Sequence, residues 1–277
     1  MAKQEVAKAA HGHDKARALA ERETDRQQSL ALMDEDTRRF LEQAGGQEDL
    51  VGRDVVAIPF LTILQPLSPE VNPADAKYIE GAKPGNILHT VSKEASMSVQ
   101  VIPVVHQRSF LEWVPRDAGG GFRGEHTGAD VVELFMAKID RATGRARLDN
   151  GNDLVDTRNF FVLQVREDGS LSPALITMSS TQIKASKNWN AMMRDFRPET
   201  LPVRPGALAP LAAGVYNLFT MMQENKKGKW FGWNIKRIQE TPAEMLAQAA
   251  RFYKQVKGNE VLVDRSEPVN EEDDDAL

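Results

Sequence analysis

From Val51 onward apolar residues enter the chain in short bursts, and several bursts alternate with polar positions at the two-residue period of a half-buried strand. The run 55–64 (VVAIPFLTIL) predicts a short strand, with Pro59 marking an edge or a bulge because proline cannot donate to a ladder. A turn-rich stretch follows, broken by Pro69, Pro73, Gly81, Pro84 and Gly85. Further strands are predicted over 86–91, 97–106, 109–114, 131–139, 159–166, 173–178, 215–222 and 229–238. Tight turns separate several of them, and Asn225-Lys226-Lys227-Gly228 reads as a hairpin loop.

Helical spacing marks two segments of the body. One runs from about Ser180 to Asp195 on Ile183, Trp189, Met192 and Met193. The other should start with Thr241 as N-cap, Pro242 in the first turn and Glu244 closing a capping box, and should stop at Gly258. Its apolar face is Met245, Leu246, Ala249, Phe252, Tyr253 and Val256. Upstream, residues 14–43 carry a partial stripe (Leu30, Leu32, Met33, Phe40, Leu41) that closes at Gly45-Gly46. The first dozen residues bury too little to offset chain entropy.

The chain thus divides into a partly disordered or helical N-terminal arm (1–50), a body (51–264) and a C-terminal tail (265–277). Many short strands with few helices between them predict a mostly β fold with flanking helices, an antiparallel barrel or sandwich. The strand–helix alternation of a doubly wound sheet is missing.

Composition adds three constraints. Hydrophobic residues at 41% suffice for a core in 277 residues. The absence of cysteine excludes disulfides and Cys-ligated zinc, and fits a reducing cytosol. No apolar run approaches the roughly 20 residues that span a bilayer, and no apolar segment follows Met1 as in a signal peptide. A cytoplasmic protein with no membrane partner is expected, in a bacterium or an infected host cell.

Charge then sharpens the picture. The net charge is −5, yet residues 266–277 hold six acids and no base, so without them the chain stands at +1. Within 179–237, ten Lys/Arg face three Asp/Glu. Aromatic residues accompany those cations: Lys184, Lys187, Arg194, Arg197 and Arg204 with Trp189 and Phe196, then Lys226, Lys227, Lys229, Lys236 and Arg237 around Trp230, Phe231 and Trp233. Cations that track phosphates and aromatic faces that stack on unpaired bases are what a single strand of nucleic acid requires. On the strand 229–238, Phe231, Trp233 and Ile235 share one face and read as core, whereas Trp230 shares the other with Asn234 and Lys236.

Other constellations carry less. Gly119 to Gly124 matches G-x-G-x-x-G, but no helix is predicted after it, so it reads as a glycine loop on which Arg116 and Arg123 could touch phosphate. His11 and His13 lack a third ligand, and His89, His106 and His126 are scattered, so no metal or cofactor is expected. Asp149, Asp153 and Asp156 cluster in sequence and keep a metal-dependent nuclease open as an alternative. No nucleophile–base motif is present, and the chain reads as a binding protein rather than an enzyme.

The stretch Ile58 to His126 (IPFLTILQPLSPEV…GAKPGNILHT…VQVIPVVHQRSFLEWVPRDAGGGFRGEH), together with the acidic Glu271-Glu272-Asp273-Asp274-Asp275, resembles the single-stranded DNA-binding proteins of tailed bacteriophages. The resemblance spans roughly residues 55–240 and implies an OB-type barrel that coats exposed strands in phage DNA replication, recombination or repair, without catalysis. On that reading Lys226, Lys227, Lys229, Lys236 and Arg237, with Arg123 and Lys184, neutralise phosphates. Trp230, and after it Trp113 or Trp233, stacks on bases. The expected partners are single-stranded DNA and, through the tail, basic replication proteins; self-association is compatible with the sequence. A structural or scaffolding phage protein is the other alternative, with the N-terminal arm and Pro-rich loops serving assembly.

Overall fold

The computed structural model describes residues 57–265, apart from 142, 202–205, 226–227, 259–260 and 262. The predicted arm (1–50) and the tail acids Glu271, Glu272, Asp273, Asp274 and Asp275 lie outside the described residues. In chain order the strands are β1 (Leu61–Ile63), β2 (Ile87–His89), β3 (Ala95–Ser96), β4 (Ser98–Trp113), β5 (Phe122–His126), β6 (Arg145–Arg147), β7 (Asp153–Val165), β8 (Leu171–Ser179), β9 (Gly214–Glu224) and β10 (Lys229–Glu240). The α-helices are α1 (Ala129–Lys138), α2 (Ile183–Asp195) and α3 (Ala243–Lys257). The fold is mostly β, and the pairings between these described strands are all antiparallel. Among the described residues no helix is long and apolar enough to cross a membrane.

Two long strands, β4 and β7, form the spine and pair from Gln100–Val165 to Trp113–Asp153. Their register shifts between Pro103 and Val105, an irregularity that lets a proline sit inside a central strand. At one end, β9 flanks β4 over Ser98–Val101 and β10 flanks β9. At the other end, β5 takes the same edge of β4 over Phe110–Trp113. Along β7, β8 pairs with one part and β6 with the other. The three strands β1, β2 and β3 make a separate small sheet.

Where both faces of the spine are covered, over 101–105 of β4 and 160–163 of β7, the strands are apolar without alternation. On one face, Val101, Phe160, Val162, Ile176, Tyr216 and Leu218 pack around Trp189 of α2. Trp189 is fully buried, stacked on Phe160 at 4.4 Å and edge-on to Tyr216 at 5.8 Å. On the other face, Ile102, Leu163, Leu175 and Val215 receive Ala249 and Phe252 of α3. At the far end, Val131 and Phe135 of α1 close over Phe110, Ala146 and Leu154.

The expected OB-like barrel is not formed, because the hydrogen-bonded strand path is open from β10 to β6 and β8. The strand that could fill the gap, β1, is only three residues long, and the residue before it, Phe60, makes one isolated parallel bridge to Leu175 of β8. The outer edge of β10 is satisfied by side chains instead. Gln65, just beyond β1, accepts from the Phe231 N–H and donates to its carbonyl, each at 2.8 Å. Gln182, just beyond β8, accepts from the Trp233 N–H at 3.0 Å. Two glutamine amides thus replace a strand.

Four local expectations are corrected. Residues 131–139 are largely helix α1, not strand; Val131 and Phe135, four apart, form its buried stripe, and Asp130 and Lys138 suit the charges of its two ends. The strands foreseen at 97–106 and 109–114 are one strand, since Gln107 and Arg108 pair across to Asn159 and Arg158. The glycine loop is shorter than its motif: Gly119, Gly120 and Gly121 turn with positive φ, and Phe122 already opens β5. Thr241 does not cap α3; Pro242 holds that position and no side chain caps the helix.

Candidate functional site

The β9–β10 hairpin carries the strongest combination of aromatic and cationic groups foreseen in the sequence, its aromatic rings half-buried or buried. Its ladder runs from Lys229–Glu224 to Glu240–Gly214, and the register decides what each side chain can do. Phe231, Trp233 and Ile235 turn to the face that packs on α2 and the small sheet, and Trp233 is only 5% exposed. Trp233 is therefore a wall of the core, whatever else it touches. Trp230, Asn234 and Lys236 turn to the opposite face and stand across from Gln223, Phe219 and Asn217. Met221, 51% exposed, lies opposite Gly232 on that same face.

The outward face thus offers the half-buried Trp230 and Phe219, the exposed Met221 and the ammonium of Lys236. Helix α3 packs mainly on β4 and β8. The flanking cations differ in how they are held. Lys229 lies 3.4 Å from Glu224 on the facing strand. The Arg237 guanidinium sits 4.2 Å over the Phe196 ring, a cation–π contact that fixes its head group. Lys236 and Lys184 form no ion pair with described residues. Lys226 and Lys227 lie outside the described residues.

A groove of about 390 Å³ runs between the open edge of β10 and α2. Lys184, Asn188 and Met192 line it from the helix, at the spacing of one helical face, and Trp233, Asn234 and Ile235 line it from the strand. The fold therefore brings Lys184 to Trp233, two residues about fifty apart in sequence. Asn234, Trp233 and Ile235 link the groove to the outward face through a single strand.

The Pam3 phage gp34-like protein family has a model that matches residues 26–262. The chain belongs to this family. It is a phage protein. No curated protein and no solved structure matches it.

Elsewhere in this phage protein, Arg123 is exposed on β5 and forms no ion pair with described residues. It is not close in register to the hairpin: β5 pairs with β4 at Glu112, β9 at Val101, and those eleven residues correspond to about 36 Å of strand path. Trp113 is 9% exposed and packs edge-on against Phe122 at 5.3 Å. The three aspartates that suggested a nuclease are directed to different cations. Asp149 pairs with Lys138, Asp153 with Arg145 and Arg147, and Asp156 with Arg108 and Arg158.

One polar network escaped the sequence reading. Glu112 accepts from Asn150 at 2.9 Å and from Asn152 at 2.6 Å, and its second oxygen lies 2.8 Å from His126 Nε2. Hydrogen bonds from Asn152 and then Asn150 hold its carboxyl below the usual range, with His126 adding to the effect. No pattern in the sequence marks it, because Glu112 and His126 meet only once β5 pairs with β4. The network ties the β4–β5 hairpin to the turn before β7.

Proposed function

We propose that this phage protein binds single-stranded DNA without sequence preference and acts in phage DNA replication, recombination or repair. The observation that carries the reading is the outward face of the β9–β10 hairpin, where Trp230 stands with Phe219, Met221 and Lys236 on one surface. An indole face accepts any base by stacking, and cations along the same strand meet the phosphates, so affinity needs no base-edge contacts. Lys229 and Arg237 flank that face, and Lys184 reaches the same strand from the groove side. Trp233 supports the site from beneath and does not itself meet a base.

The acidic tail, with six carboxylates in its last twelve residues, acts on this reading as a competitor for the same cations or as a dock for basic partners. The reading requires no catalysis and no cofactor.

The test is a gel shift with labelled poly(dT) against a duplex of equal length at low salt, in the presence of Mg²⁺. The reading requires a shift with poly(dT), a weaker one with duplex, and intact DNA. No shift would favour a structural role in the virion, and cleavage products would favour a nuclease.

A further inference from the structure

A second cavity, of about 290 Å³, opens at the far end of the large sheet from the β9–β10 hairpin. Its wall carries three guanidinium groups, Arg116, Arg145 and Arg147, around Trp113 and Asp153. Three strands bring these residues together. Asp153 on β7 stands directly opposite Trp113 on β4 and directly opposite Arg147 on β6, so the three side chains share a face. Arg145, two residues before Arg147, projects from that same face, and Arg116 follows from the turn after β4.

The arginines of β6 are held in place before any ligand arrives. Arg147 Nε lies 3.0 Å from Asp153 Oδ1, and its Nη1 donates to the Gly151 carbonyl at 2.8 Å. Arg145 Nη1 lies 3.6 Å from Asp153 Oδ2. These two contacts of Arg147 use two of the five N–H donors that a guanidinium carries. A planar guanidinium fixed by its neighbours loses little freedom when it takes up an oxyanion, and its fork geometry suits phosphate oxygens.

We propose that this cavity binds a phosphodiester of a nucleic-acid strand, as a site separate from the hairpin. The identity of the ligand rests on the single-strand reading above; the site itself stands on the arginine geometry. The strand path of about 36 Å between Glu112 and Val101 places the two sites at opposite ends of β4, so a bound strand would contact both only if it ran the length of the sheet.

The experiment follows the arginine Nε–Hε signals of the ¹⁵N-labelled full chain during titration with the dinucleotide TpT, which carries one phosphodiester. The Arg147 signal is assigned by its loss in R147Q. The proposal predicts a saturable shift at Arg147, with a dissociation constant of roughly millimolar order. Thymidine, which has no phosphate, should leave the signal in place. R116Q should weaken the TpT response about tenfold; it lies in an exposed turn and so keeps the test alive even if R147Q unfolds. W230A should leave the Arg147 response unchanged. An Arg147 shift no larger than that produced by sodium chloride at equal ionic strength overturns the proposal, as does an undiminished response in R116Q. Loss of oligonucleotide binding in W230A with the Arg147 response intact would bear on the hairpin and not on this site.

Discussion

The side-chain amide of Gln65 makes both hydrogen bonds that the outer edge of Phe231 requires, donating to its carbonyl and accepting from its N–H at 2.8 Å each. The hairpin that carries the candidate site is therefore steadied from outside its own sheet, by a residue 166 positions away. Gln65 is itself buried, and its own N–H is satisfied by Ser68 Oγ at 2.9 Å.

Replacing Gln65 by Leu removes two hydrogen bonds and leaves a partly buried backbone donor and acceptor without partners. Each such group costs about 1–3 kcal/mol when buried, so Gln65→Leu should destabilise the fold by about 2–6 kcal/mol, toward the lower end because the site is only partly buried. Urea unfolding measures this directly. A loss below about 0.5 kcal/mol would mean that water replaces the glutamine without cost.

Gly85 lies under the same ring. A Cβ built there would come within 2.7 Å of Phe231 Cδ1 and Cε1, and its backbone has φ +88°, a region that L residues avoid. Gly85→Ala should therefore cost about 2–3 kcal/mol by combining strain with overpacking. Thermal melts would check it, and a wild-type melting temperature would show that the small sheet can shift away from the hairpin.

The two tryptophans of β10 should separate cleanly by mutation. Trp233→Ala hollows the core and should cost about 3–5 kcal/mol of stability. Trp230→Ala, on the outward face, should change stability far less. Equal losses for the two variants would place Trp230 in the core as well.

Stability should also depend on pH near neutrality. Burial, and then the charge of Arg158, pushes His106 below its ordinary value; burial, and then Arg166, does the same for His89. A histidine whose folded pKa is lowered binds its proton more weakly in the folded state. Its contribution is full above the unfolded value of 6.5 and is lost as pH falls below it toward the folded value. Urea midpoints should therefore fall between pH 7.5 and pH 5.5, before carboxylates such as Glu112 titrate. A flat profile over that range would show both rings to be freely hydrated.

Much of the body was legible because its strands are written in β-branched and aromatic residues. The split of Trp230 from Trp233 followed from period two alone, and the register of β9 with β10 agrees with it. Helix α1 was missed because only Val131 and Phe135 mark its buried face, while Leu134 and Met136 point outward and mimic a strand's apolar run. The open edge of β10 was not legible at all. Nothing in the neighbourhood of Gln65 or Gln182 announces that a side-chain amide will stand in for a strand, since that depends on contacts 166 and 51 residues apart. The arginine cavity was half visible: Arg116 was noted beside the glycine loop, but Arg145 and Arg147 join it only through the pairing of β6 with β7.

Neutralising the tail acids (E267Q, E271Q, E272Q, D273N, D274N and D275N together) should tighten single-strand binding at low salt. The gain should fade as the screening length shortens from about 10 Å at 0.1 M to about 3 Å at 1 M. An affinity identical to wild type across the series would remove the tail from the site.

The central claim is tested most directly by fluorescence anisotropy of a labelled poly(dT) oligonucleotide titrated with wild-type protein and with Trp230→Ala over a salt series. The account predicts binding by the wild type that weakens linearly in log–log form, with a slope near −0.7 for each phosphate neutralised. It predicts a loss of about 1–3 kcal/mol in the variant, roughly 5- to 150-fold, because each stacked base contributes that much. No binding by the wild type at low salt, or an unaltered dissociation constant in a folded Trp230→Ala variant, would contradict it.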